Sequence, residues 1–140
     1  MGFFDKLKAS IGIGQPELSI KLDSNQVKAG TSIKGTITLT GKSRDIPVEK
    51  LLIEFLEVTT RREWNSATKS YMDKKTEQVL GKLDFPKNNQ VLKVGESMTE
   101  SFTLAVSPVT FSGNPYSHKV KASADLPGLD PRKTEDVFIV

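Results

Sequence analysis

Residues 18–41 read LSIKLDSNQVKAGTSIKGTITLTG, and two alternating runs within them decide the fold class. Leu18, Ile20 and Leu22 fall on one side of a period-two ribbon, with Ser19 and Lys21 on the other. Ile33, Gly35, Ile37 and Leu39 repeat the alternation against Lys34, Thr36 and Thr38, so each run predicts a half-buried strand. Between them, Asp23-Ser24-Asn25-Gln26 and Ala29-Gly30 place turn formers on either side of Val27, which lets the second strand return beside the first. A ribbon with one apolar face is not stable alone. The rest of the chain must therefore supply a second layer over Leu18, Ile20, Leu22, Ile33, Ile37 and Leu39.

The remainder reads as further strands. Residues 42–46 are a polar connection, and Pro47 leads into a long run over 48–63. In that run Leu51, Ile53 and Phe55 share one face, while Leu52, Leu56 and Val58 imply either cover on the other face or a bulge that shifts the register. Its partner is expected over 70–83, joined through the polar loop 65–69 as a hairpin. Setting Trp64 opposite Tyr71 also sets Arg62 opposite Asp73 and Leu56 opposite Val79, so aromatic, charged and apolar pairs all match in one register. Pro86, Asn88-Asn89 and Gly95-Glu96 predict a broken connection around Val91, Leu92 and Val94. Strands follow over 98–106, with Phe102 and Leu104 inward, over 116–126 and over 134–140. The loop 108–115 and the turn 127–131 separate them. This succession predicts an all-β, immunoglobulin-like antiparallel β-sandwich.

At 140 residues and 36% hydrophobic, the chain suits one domain with a single core. It has no cysteine, so disulfides and thiolate zinc sites are excluded, in keeping with a cytoplasmic location. No apolar run approaches the roughly 18 residues of a membrane span, and the N-terminus lacks the apolar region of a secretory signal. Met1-Gly2 does not begin a myristoylation site, because Lys6 stands where that pattern requires Ser or Thr. Net charge is +3, from twenty basic and seventeen acidic residues. Apart from short clusters at Arg61-Arg62, Lys74-Lys75 and Arg132-Lys133, the basic residues are scattered, which argues against a nucleic-acid partner.

Residues 3–11 carry the helical pattern, with Phe3, Leu7 and Ile11 spaced by four and Phe4 widening the stripe. Gly12, Gly14 and Pro16 end it, so a short N-terminal helix is expected within residues 1–13, followed by a sandwich domain over 14–140. A helix this short is marginal alone and must dock. Lys6 and Lys8 flank the stripe as they would on a segment lying at an anionic membrane or in a partner's groove.

Candidate chemistry is sparse. The single His118 lies on an alternating strand and reads as a packed or edge histidine. Asp125, Asp130 and Asp136 match no EF-hand spacing and read as caps or as partners of Arg132 and Lys133. Glu54, Glu57 and Glu63 read as solvated positions on an amphipathic strand, since a hydrolytic pair needs a set separation across a cleft. No glycine-rich phosphate loop precedes a helix. Trp64, at the mouth of the hairpin, either stacks on Tyr71 or anchors a partner or a lipid headgroup. The expected contact residues are thus Phe3, Phe4, Leu7, Ile11, Trp64 and Tyr71, with no catalytic, cofactor or metal residue.

Two stretches resemble the bacterial sporulation-control protein family. One is GFFDKLKASIGIG followed by VKAGTSIKGTITLTG, with its Val-x-x-Gly-x-x-Ile-x-Gly pattern at Val27, Gly30, Ile33 and Gly35. The other is KASADLPGLDPRKTEDVFIV at the end. The resemblance implies an arrestin-like fold and a non-enzymatic adaptor or regulatory module acting through protein contacts. It names no catalytic residue and no cofactor. Members of that family carry two such sandwiches in tandem, so this chain is expected to be either a fragment or a one-domain relative. From a different class, a sandwich that binds sugar or lipid headgroups through Trp64 and Tyr71 is the alternative. The apolar end Val137-Phe138-Ile139-Val140 adds the expectation of a homodimer through a sheet edge.

Overall fold

A computed structural model describes residues 15–128 and 130–140, so the expected helix within 1–13, with Phe3, Phe4, Leu7 and Ile11, lies outside the described residues, as does Gly14. The described residues form eight strands: β1 (Glu17–Leu22), β2 (Gln26–Val27), β3 (Ser32–Thr40), β4 (Ile46–Asn65), β5 (Ser70–Leu92), β6 (Ser97–Ala105), β7 (Tyr116–Asp125) and β8 (Arg132–Ile139). They make two facing sheets, one of three strands in the order β1-β3-β6 and one of five in the order β2-β8-β7-β4-β5. Every pairing is antiparallel except the short parallel contact of β2 with β8.

The opening ribbon pairs as its pattern requires. Leu18 lies opposite Leu39, Ile20 opposite Ile37 and Leu22 opposite Gly35. Ile33, Ile37 and Leu39 are fully buried, and they meet Ile53, Phe55, Val120 and Ala122 of the second sheet in one continuous core. Fully burying a side chain of this size contributes about 1.5–3 kcal/mol, which is how the second layer stabilises the ribbon. On the outer face of the smaller sheet the hydroxyls of Thr38 and Thr99, and of Thr40 and Ser97, approach to 3.4 and 3.0 Å, so water meets a polar surface there.

Each position of the Val-x-x-Gly-x-x-Ile-x-Gly pattern has its own cause. Val27 is buried where β2 meets β8. Gly30 has φ +87°, a left-handed conformation that a side chain would strain, and its N–H donates to the Val106 carbonyl at 2.9 Å. Ile33 is in the core. At Gly35 a Cβ would lie 2.6 Å from the Lys21 carbonyl oxygen and 2.8 Å from the Phe102 ring, so this glycine makes room for the aromatic side chain paired opposite it.

The central hairpin keeps the expected register, with Trp64 opposite Tyr71, Arg62 opposite Asp73 and Leu56 opposite Val79. Its second strand is longer than the expected 70–83. The Pro86 to Asn89 segment is a bulge inside β5 rather than a connection, because Lys87, Asn88 and Asn89 stand between Pro86 opposite Lys50 and Gln90 opposite Val48. Asn88 and Asn89 have φ 52° and 63°, a region asparagine tolerates better than most residues, so the ladder bends and resumes to Leu92. A second irregularity falls at Phe55 and Leu56, with the additional residue, Leu80, on β5. The two sheets are tied along one side by the Lys87–Glu100 ion pair between β5 and β6. The expected open edge at residues 137–140 is corrected: β2 pairs with Phe138 and Ile139, and Val140 N–H donates to the Val27 carbonyl at 2.9 Å. Among the described residues the edge strands are β1 and β6 of the smaller sheet and β2 and β5 of the larger one.

Candidate interaction surface

Strand alternation sorts the hairpin's side chains. Leu56, Val58, Arg62 and Trp64 share the outer face of the larger sheet, together with Val79, Glu77, Asp73 and Tyr71 on β5. Beyond Thr60, the last residue bonded towards β7, the ladder outruns the sandwich, and its residues are half-buried or exposed on both faces as far as the turn. At about 3.3 Å per residue, residues 61–65 project roughly 15 Å. The tip is closed by the Asn65 side-chain oxygen, which accepts from Ala67 N–H at 2.9 Å, and by Lys69 in a left-handed conformation at φ 52°.

On this tip Trp64 and Tyr71 pack edge to face with ring centroids 5.2 Å apart, and the Arg62 guanidinium lies 5.2 Å from the centre of the Tyr71 ring. The pair is not thereby removed from water. Trp64 is 56% exposed, Tyr71 62% and Met72 50%. Two expected contact residues are thus brought together, held by cross-strand geometry and uncovered. Nearer the sandwich, Leu56 and Val58 are buried outside the main core, and the Lys119–Glu77 ion pair at 2.8 Å spans β4 above them. The hydrogen bond and charge of Lys119 hold the Glu77 carboxyl below its ordinary range.

The carboxylates sort differently from the sequence expectation. Glu57 is buried, not solvated, because it shares the inward parity of Leu51, Ile53 and Phe55; that parity was legible and would have identified it. It lies opposite His118, whose Nε2 is 3.1 Å from Glu57 Oε2, and the imidazole stacks on Phe55 with centroids 5.6 Å apart. His118 is therefore a packed histidine with one polar partner. Glu54 faces away from Glu57, and Glu63, on the Glu57 face, is six residues further along, roughly 20 Å, so neither makes a hydrolytic pair with it.

Asp125 and Asp136 sit towards opposite ends of the β7–β8 pair, Asp125 beside Lys50 and Asp136 beside Lys119, and Asp130 is in the connecting turn. Among the described residues no group of three His, Cys, Asp or Glu side chains could hold a metal ion. Nor is any described helix long and apolar enough to cross a membrane.

Comparison with curated proteins gave no match. Among solved structures, the chain is similar to the crystal structure of Spo0M, sporulation control protein, from Bacillus subtilis. The TM-score is 0.76 at 13% sequence identity, over 91% of this chain and 50% of that chain. The chain thus spans half the length of that protein, and the likeness shows the fold, an arrestin-like β-sandwich. A family model for the SpoOM protein, Spo0M, matches residues 4–126. Covering most of the sandwich and the glycine pattern explained above, that match places the chain in the Spo0M family.

Proposed function

We propose that the chain is a non-enzymatic, cytoplasmic adaptor or regulatory module that works through protein contacts, with the β4–β5 hairpin as its reading surface. One observation carries this: a two-stranded ladder extends past the core and presents Trp64, Tyr71 and Arg62 packed together in solvent. Tryptophan, tyrosine and arginine dominate binding energy at protein interfaces, because a rigid aromatic surface gains contact area at little entropic cost. A tip that projects with both rings exposed favours a protein contact over the alternative, capture of a sugar or lipid headgroup in a concave aromatic site. Its basic residues Arg61, Arg62, Lys74 and Lys75 alternate with Glu63, Asp73 and Glu77, so it offers nucleic acid no single-sign stripe.

The test is affinity capture from the native cell with the wild-type chain and with a Trp64→Ala/Tyr71→Ala variant, followed by purified binding to the protein recovered. A partner retained by the wild type and lost by at least tenfold with the variant supports the reading. Equal retention, or selective binding of the tip to glycans or vesicles, overturns it. The segment carrying Phe3, Phe4, Leu7 and Ile11 is a second contact in this reading, with a partner groove or a peripheral membrane surface as its target. Deleting residues 1–13 should leave thermal stability almost unchanged and abolish that contact.

A further inference from the structure

The buried Glu57–His118 couple is not used by the hairpin surface, and each member lines a cavity of its own. His118 lines one of about 620 Å³ and Glu57 lines another of about 450 Å³. The second lies where the hairpin leaves the sandwich. Its walls include Leu80 and Val109, with Phe111 held by stacking on Tyr116 at 4.7 Å between centroids. Leu80 is the additional residue of the β5 bulge, and bulges commonly re-aim a side chain beside a site. Val109 and Phe111 are presented by a turn closed on itself, in which Thr110 N–H and hydroxyl both donate to the Ser107 carbonyl, at 3.1 and 2.7 Å. Leu80, Val109 and Phe111 are 38, 80 and 58% exposed, so the rim is apolar and open.

Glu57 gives this cavity its chemistry. Its side chain retains a tenth of its surface and has one side-chain partner, the imidazole at 3.1 Å. The carboxylate stands at the inner end of a passage whose rim is apolar and whose walls also include Gln78, Ser107 and Thr110. Among the described residues no Lys or Arg lines the cavity. A carboxylate withdrawn from water favours a donor that brings a positive charge, because charge-assisted hydrogen bonds are about twice as strong as neutral ones. The volume lies within the range of small-molecule sites, about 300–1,000 Å³.

We infer that this cavity binds a primary alkylammonium group on a short apolar stem, the ammonium hydrogen-bonded to Glu57 and the stem against Leu80, Val109 and Phe111. A free amine and the lysine side chain of a bound peptide share that chemistry. The inference does not rest on the hairpin reading: loss of every tip contact would leave it intact.

Titration of the isotope-labelled chain with n-butylammonium, and separately with its neutral isostere n-butanol, tests it by amide chemical shifts. The ammonium should move the signals of residues 109–111 and 118 at concentrations at least tenfold below those n-butanol requires. Glu57→Gln keeps an acceptor for His118 but removes the charge, and should abolish the preference. Leu80→Lys, at the exposed rim, should weaken the ammonium at least tenfold without disturbing the buried couple. Tighter binding of Nα-acetyl-lysine methylamide than of n-butylammonium would assign a peptide source, and weaker binding a free amine; both uphold the site. Equal affinity for the neutral isostere, a preference that survives Glu57→Gln and Leu80→Lys, or shifts confined to other residues would overturn it.

Discussion

The β4–β5 ladder passes through two environments, and its two halves differ in an unexpected direction. From Ile46 to Glu57 it packs on the other sheet, with Ile53 and Phe55 essentially inaccessible. From Arg61 to Asn65 it projects past β7 and is largely exposed among the described residues. Both register irregularities, at Val48/Lys50 and at Phe55/Leu56, fall in the packed half, while residues 59–65 pair with 70–76 without interruption. Past Thr60, whose N–H donates to the Pro115 carbonyl at 3.0 Å, the projecting half has its own ladder to satisfy. The packed half must also coil so that alternate side chains reach a facing sheet, and bulges supply that bend. Regular pairing here marks freedom from packing rather than strength of packing.

The contrast can be broken most forcefully in the core. Phe55→Ala should cost about 3–5 kcal/mol in denaturant unfolding, because the facing three-stranded sheet cannot collapse onto the cavity. An unchanged midpoint would show that the packed half is not what holds the ladder. Gly35→Ala acts on the facing sheet, where a Cβ would lie 2.6 Å from the Lys21 carbonyl oxygen. Overpacking of this kind should cost about 1–3 kcal/mol, read by the same unfolding curves.

At the tip the expected effects are smaller. A double-mutant cycle on Trp64 and Tyr71 should return a coupling of about 0.5–1 kcal/mol, because the edge-to-face pair is solvated. A coupling equal to the cost of Phe55→Ala would erase the distinction between the halves. The smallest expected effect is that of pH at Glu77. Lys119 lowers the Glu77 carboxyl from its ordinary value, so the folded chain binds that proton less readily than the unfolded chain. This stabilisation is present above the unfolded-state glutamate value, about 4.3, and is lost as pH falls through the folded one. Solvent screens an exposed pair, so the acid limb of a stability profile should shift only slightly in Lys119→Ala.

Much of the architecture was legible. Alternation at Leu18, Ile20, Ile33, Ile37 and Leu39 gave the ribbon and its buried face, and three matched pairs gave the hairpin register that β4 and β5 adopt. The tip residues Trp64 and Tyr71 were legible as a pair for the same local reason. The continuation of β5 through Asn88 and Asn89 was not, because turn formers read alike whether a chain leaves a sheet or bulges within it. Nor was the cover that β2 gives the end of β8, a contact between residues more than a hundred positions apart.

The sequence by itself determined which residues face inward, because a strand's period of two depends only on local backbone geometry. It also placed Gly30 among turn formers, and the structure supplies the reason a glycine suits that position, a φ of +87°. Only the tertiary structure decided which inward residues meet. Glu57 and His118 are 61 positions apart, and each reads as an unremarkable strand residue until β4 and β7 lie side by side. Their burial and their hydrogen bond arise from that long-range pairing, and no local pattern encodes the distance that made them neighbours.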